Sequence, residues 1–163
     1  SLTEGGYGII KGERLVGYLE GEAARGLELL AGRAPAEVLT VAQPDNLVSA
    51  RVNLVHTTAD LRFQGLVPEG LELNCRVEME LTEYQTPLDP TQREAVAQEL
   101  EELLLARIEQ ALTQLRQWQA DCVGLGLQGA VGHPWKWKQI QGDWPVWFGK
   151  LQPEIQLQVT VHE

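Results

Sequence analysis

From Leu71 to Thr82 the chain alternates without a break. Leu71, Leu73, Cys75, Val77, Met79 and Leu81 hold the odd places, and Glu72, Asn74, Arg76, Glu78, Glu80 and Thr82 hold the even ones. In an extended backbone successive side chains point to opposite faces, so this segment reads as a strand with one dry face and one wet face. Strands of a parallel sheet are covered on both sides and are apolar throughout, so the alternation favours an antiparallel sheet. The dry face of such a sheet has to be covered by another layer.

The next segment supplies a cover. Asp89-Pro90-Thr91-Gln92 spells a helix start: an aspartate at the N-cap, proline at the first helical position, and a glutamine placed to reach back to the cap. Beyond it Val96, Leu100, Leu103, Leu104, Ile108, Ala111, Leu112, Leu115, Trp118 and Cys122 recur at steps of three and four, predicting a helix with one apolar stripe roughly 50 Å long. Glu94, Glu101, Glu102, Glu109, Arg116 and Gln117 fall on its far side.

The flanks extend the same design. Gly8 to Lys11 and Arg14 to Leu19, separated by Gly12-Glu13, predict a hairpin. Glu20 to Leu30 predicts a short helix with Ala23, Leu27 and Leu30 on one face and Gly32 placed to stop it. Strands are expected near 37–42, 47–56 and 59–65, with Val48, Ala50, Val52 and Leu54 of the second pointing inward. Ile155, Leu157, Val159 and Val161 mark a terminal strand. The whole predicts an α+β fold, a mostly antiparallel β-sheet with one long and one short helix packed on one face. At 163 residues the chain is expected to form a single domain.

Several function classes find little support. Thirteen basic against 23 acidic residues, a net charge of −10, repel phosphate backbones, so nucleic acid is not an expected partner. No apolar run approaches the length of a membrane span. Cys75 and Cys122 lack a second Cys or His at ligand spacing and are expected to be two buried thiols. Gly124-x-Gly126-x-x-Gly129 has the spelling of a dinucleotide loop, but it follows a helix instead of a strand, so helix termination with close backbone packing is expected. Glu99, Glu101 and Glu102 read as a solvated helix face and not as a metal cluster. Ser49, His56 and Asp60 have the residue types of a catalytic triad without the strained turn that exposes a nucleophile. The chain therefore offers no catalytic, cofactor-binding or metal-ligating residue, and an enzyme is not expected.

The C-terminal third is aromatic. Trp135, Trp137, Trp144 and Trp147, interleaved with Lys136 and Lys138, have the composition of a stacking platform for a sugar or another small ligand. Trp137, Trp144 and Phe148 recur at steps of seven and four, as one face of a short helical segment sealing the core would. Asp121, Trp135, Trp137, Trp144, Trp147 and Phe148 are accordingly the candidate interaction or core-sealing residues.

These residues also carry a resemblance. Asp121, Gly124 and Gly126, then His133-Pro134 with Trp137-Lys138-Gln139-Ile140, then Trp144 and Phe148 and the closing alternation, resemble the C-terminal domain of the Ger(x)C family, the lipoprotein C subunits of bacterial spore germinant receptors. Ile10-Lys11, Arg14-Leu15-Val16-Gly17-Tyr18-Leu19, Glu22, Gly26, Leu30 and Gly32 resemble the start of that domain. The resemblance implies a non-enzymatic receptor subunit supporting nutrient-triggered germination through protein contacts. It implies membrane-embedded A and B subunits as partners and a lipid anchor outside this fragment, on the outer face of the spore inner membrane. Ser1 to Gly6 lack the order of a signal peptide and look like a cut edge, which makes the chain an expected excised C-terminal domain of a longer lipoprotein. A carbohydrate or small-ligand module built on the tryptophans is the alternative.

Overall fold

The computed structural model describes residues 6–163, so the start of the expected cut edge, residues 1–5, lies outside them. A hairpin of β1 (Tyr7–Lys11) and β2 (Arg14–Leu19) opens the chain and forms a two-stranded sheet of its own, turning at Gly12 with φ 65°. Helix α1 (Gly21–Leu30) follows, and Gly32 leaves it at φ 72° as expected of a helix stop. The main sheet has the order β3 (Val38–Gln43), β4 (Asn46–Gln64), β5 (Val67–Tyr84), β6 (Glu154–His162). The pairs β3–β4 and β4–β5 are antiparallel, and β6 runs parallel to β5.

Leu71, Leu73, Cys75, Val77, Met79 and Leu81 are all buried, so the alternation of β5 reports its faces faithfully. It does not report its neighbour. The crossover to β6 places its helices on the dry side, leaving the even face of β5 wet although one of its partners is parallel.

The capping box forms as spelled: Gln92 N–H donates to Asp89 Oδ1 at 2.8 Å, and Asp89 N–H donates to Gln92 Oε1 at 3.0 Å. Helix α2 (Pro90–Gln117) is 28 residues, about 42 Å. It crosses the inner face of the sheet, contacting β3 and β6, with α1 packed beside it. It is shorter than the apolar stripe suggested. Gln119 turns to φ 53° and Ala120 N–H bonds back to Leu115 O, so Trp118 caps the helix and Cys122 lies beyond it, exposed. The expectation of two buried thiols thus holds for Cys75 alone.

The strands expected at 47–56 and 59–65 are one continuous strand, β4. A register shift between Val52 and Leu54 explains why alternation misled there. Asn53 is the extra residue of a bulge, so the inward set passes from Val48, Ala50 and Val52 to Val55 and Leu61, and Leu54 faces solvent. Between α2 and β6 the chain forms three further short helices, α3 (Leu125–Gly129), α4 (Pro134–Ile140) and α5 (Trp144–Lys150), with a 3₁₀ turn before α5. The α+β class stands, with more helices on the sheet than the two expected.

Candidate functional site

Asp121 organises the segment after α2. Leu125 N–H donates to its Oδ1 and Gly126 N–H to its Oδ2, each at 2.8 Å, and Trp144 Nε1–H donates to Oδ2 at 2.8 Å. Gly124, at φ 73°, turns the chain so that the first amides of α3 point back at this carboxylate. The glycine string therefore opens a helix where termination was expected. It also has no room for a phosphate, because the amides that would receive one are already bonded to Asp121. The close backbone packing is real: a Cβ on Gly126 would sit 2.4 Å from the Trp144 ring, and one on Gly129 would sit 2.9 Å from Leu61 N.

The aromatic residues separate by depth. Phe148 and Trp144 are buried, with ring centroids 5.8 Å apart. Trp137 is half-buried and meets Trp144 edge-on at 5.5 Å. Trp147 is half-buried with Lys150 Nζ over its ring at 5.6 Å. Trp135 stands apart, 63% exposed. Trp137, Trp144 and Phe148 pack edge-on or tilted against one another, so these three rings do not present a row of parallel faces to solvent. At the tip of the long β4–β5 hairpin, Phe63 contacts His133 edge-on at 5.5 Å and lies under Lys136 Nζ at 5.5 Å, which fastens α4 to the sheet.

The remaining candidates are dispersed. Ser49 is buried and shares a hydrogen bond with Thr40 at 3.2 Å, while His56 and Asp60 lie exposed further along β4; seven residues of strand put Ser49 about 23 Å from His56. Glu99 accepts from Gln43 Nε2 at 2.8 Å, tying α2 to β3. Among the described residues no three His, Cys, Asp or Glu side chains come together as metal ligands. Cys75 is buried, and loss of solvation pushes its thiol pKa up, which makes it a poor nucleophile at neutral pH.

Two polar residues of consequence escaped the sequence reading. Arg107 is 5% exposed in the middle of α2; its Nε donates to Glu22 Oε2 at 2.6 Å and its Nη1 to Glu37. The signal was present, since Arg107 falls three residues after Leu104 and four before Ala111, within the apolar stripe. Asn46 is buried where the strands begin. Its amide donates to Thr86 O at 3.0 Å and its Oδ1 accepts from Gln85 and Thr86 N–H, joining the start of β4 to the exit of β5.

Comparison with known proteins adds two findings. Residues 5–163 match the family model described as "Spore germination B3/GerAC like, C-terminal". Among solved structures, the one described as "Crystal Structure of the GerBC protein" matches with a TM-score of 0.80 at 16% sequence identity, over 95% of this chain and 50% of that one. The chain thus spans half the length of that protein, and the likeness concerns the fold. No curated protein matches the chain.

Proposed function

The chain belongs to the spore germination B3/GerAC-like C-terminal family, and from that membership we propose that it is the C-terminal domain of a germinant-receptor C subunit. In this reading it supports nutrient-triggered germination through protein–protein contacts with membrane-embedded A and B subunits. A lipid anchor in a preceding segment holds it at the outer face of the spore inner membrane. The observation that carries the reading is the family match along 5–163, which includes the hairpin, both faces of the sheet, α2 and the aromatic segment together. Two features agree with it. Among the described residues no helix is long and apolar enough to cross a membrane. The Asp121 carboxylate, which accepts from three N–H donors, is engaged in holding α3 and Trp144 in place.

The test is made in a spore former whose receptor contains this chain. Affinity-tagged A subunit from spore membranes is expected to bring down the full C subunit, and deletion of the segment corresponding to residues 6–163 is expected to abolish nutrient-triggered germination while leaving germination by non-nutrient agents intact. Receptors that assemble and respond normally without the segment would exclude the reading.

A further inference from the structure

We propose that β6 is the seam of a symmetric dimer, in which it pairs antiparallel with β6 of a second copy and joins two four-stranded sheets into one. The proposal rests on the strand itself and stands apart from the receptor reading.

β6 is the last strand of the sheet, bonded along one edge to β5 from Glu154 to His162 without a register shift. Among the described residues no strand pairs with its other edge, which leaves a row of backbone donors and acceptors there. Folded proteins protect such edges with proline, lysine, a bulge or shortness, because an open edge is a template for another strand. Over Glu154–His162 the strand carries no proline, lysine, arginine or bulge. Its inner face is also incompletely covered. Val159 and Val161 are buried, whereas Ile155 and Leu157 are only half-buried. Beside them lies a hollow of about 250 Å³ lined by Leu112, Arg116, Pro153 and Ile155.

The strand is complementary to its own reverse. With Gln158 facing Gln158 of the second copy, Ile155 stands opposite Val161 and Leu157 opposite Val159, so each half-exposed side chain gains an aliphatic neighbour on the dry face. On the wet face Gln156 meets Thr160 and Glu154 meets His162. Within each copy Arg62 lies 3.7 Å from Glu154, and His162 lies 3.9 Å from Glu78. Across the seam these become a run of alternating sign, Arg62, Glu154, His162, Glu78, whenever His162 is protonated. The same patch serves both copies, as a closed twofold contact requires.

Sedimentation velocity of the 163-residue chain from about 1 μM to 1 mM is expected to show a species of twice the 18.1 kDa chain mass. Gln158 is exposed, so charge placed there meets itself across the seam without disturbing the fold. Gln158→Lys alone and Gln158→Glu alone are each expected to weaken the dimer about five-fold or more, and an equimolar mixture of the two to restore it. A wild-type chain that remains monomeric at the highest concentration overturns the proposal. So does a dimer that is indifferent to both substitutions, since it would be using another surface.

Discussion

Arg107 sits among leucines because three elements meet at its guanidinium: α2 that carries it, α1 through Glu22, and the segment before β3 through Glu37. Burial alone would favour the uncharged form, but the hydrogen bonds and charges of the two carboxylates outweigh it and hold the pKa above its ordinary value. Arg107→Met removes the cation and leaves both acids without their partner, an expected loss of about 3 kcal/mol in denaturant unfolding. Glu22→Gln is expected to cost less than about 1 kcal/mol, because Glu22 is half-exposed and water replaces much of what it loses. The cysteines differ in the same way, by surroundings. One thiol per folded chain, Cys122, is expected to react with a disulfide reagent, and the second, Cys75, only after denaturation. Since burial raises the Cys75 pKa, the folded state keeps a proton that the unfolded state releases. That stability is full below the ordinary thiol pKa, about 8.5, and is lost as pH rises through the folded value. Cys75→Val should therefore flatten the decline in melting temperature on the alkaline side, and an unchanged slope would assign the decline to other groups.

At the scale of elements, α1 and α2 approach closely enough that one side chain reverses a general rule. Alanine for glycine inside a helix ordinarily stabilises by about 1 kcal/mol, yet a Cβ on Gly26 would stand 1.9 Å from Arg107 O. Gly26→Ala is expected to destabilise by about 2 kcal/mol as the helices are forced apart, measurable as a lower denaturation midpoint. Asp121→Ala, which strips three N–H donors of their acceptor, should cost about 3 kcal/mol and loosen the packing of Trp144, visible as a red shift of tryptophan fluorescence. What the sequence showed of these elements follows from how local their causes are. The hairpin, α1, β5 and the start of α2 were legible because turn residues, caps and periodicity act within a few positions. The continuity of β4 was not, because Asn53 bulges only against a partner strand, and alternation counted through it puts Leu54 on the wrong face. Nor was the burial of Arg107, whose carboxylates lie 85 and 70 residues away in the chain. At the candidate site, the sequence pointed to Asp121 and to the tryptophans. That a carboxylate would occupy the place of a phosphate depends on a chain turn at Gly124 that spelling alone does not convey.

The whole molecule shares one apolar interior. Leu19 of the hairpin, Leu29 of α1, the dry face of β5, Leu104 of α2 and Phe148 of α5 belong to the same buried cluster. We infer that the chain is one domain and expect a single cooperative thermal transition, with calorimetric and van't Hoff enthalpies equal; two separated transitions would divide it. The parallel pairing of β6 with β5 has a consequence for how such a molecule comes into being. Glu72 finds Glu154 only across about eighty intervening residues, so the central strand waits, half-paired, while α2 and the aromatic segment are synthesised. Until β6 has been made, the edge of β5 is open to any passing strand, and its closure depends on contacts between residues far apart in the chain. A nascent chain stalled before β6 is thus a species that chaperones should hold, and addition of Glu154–His162 is the step that sets it free.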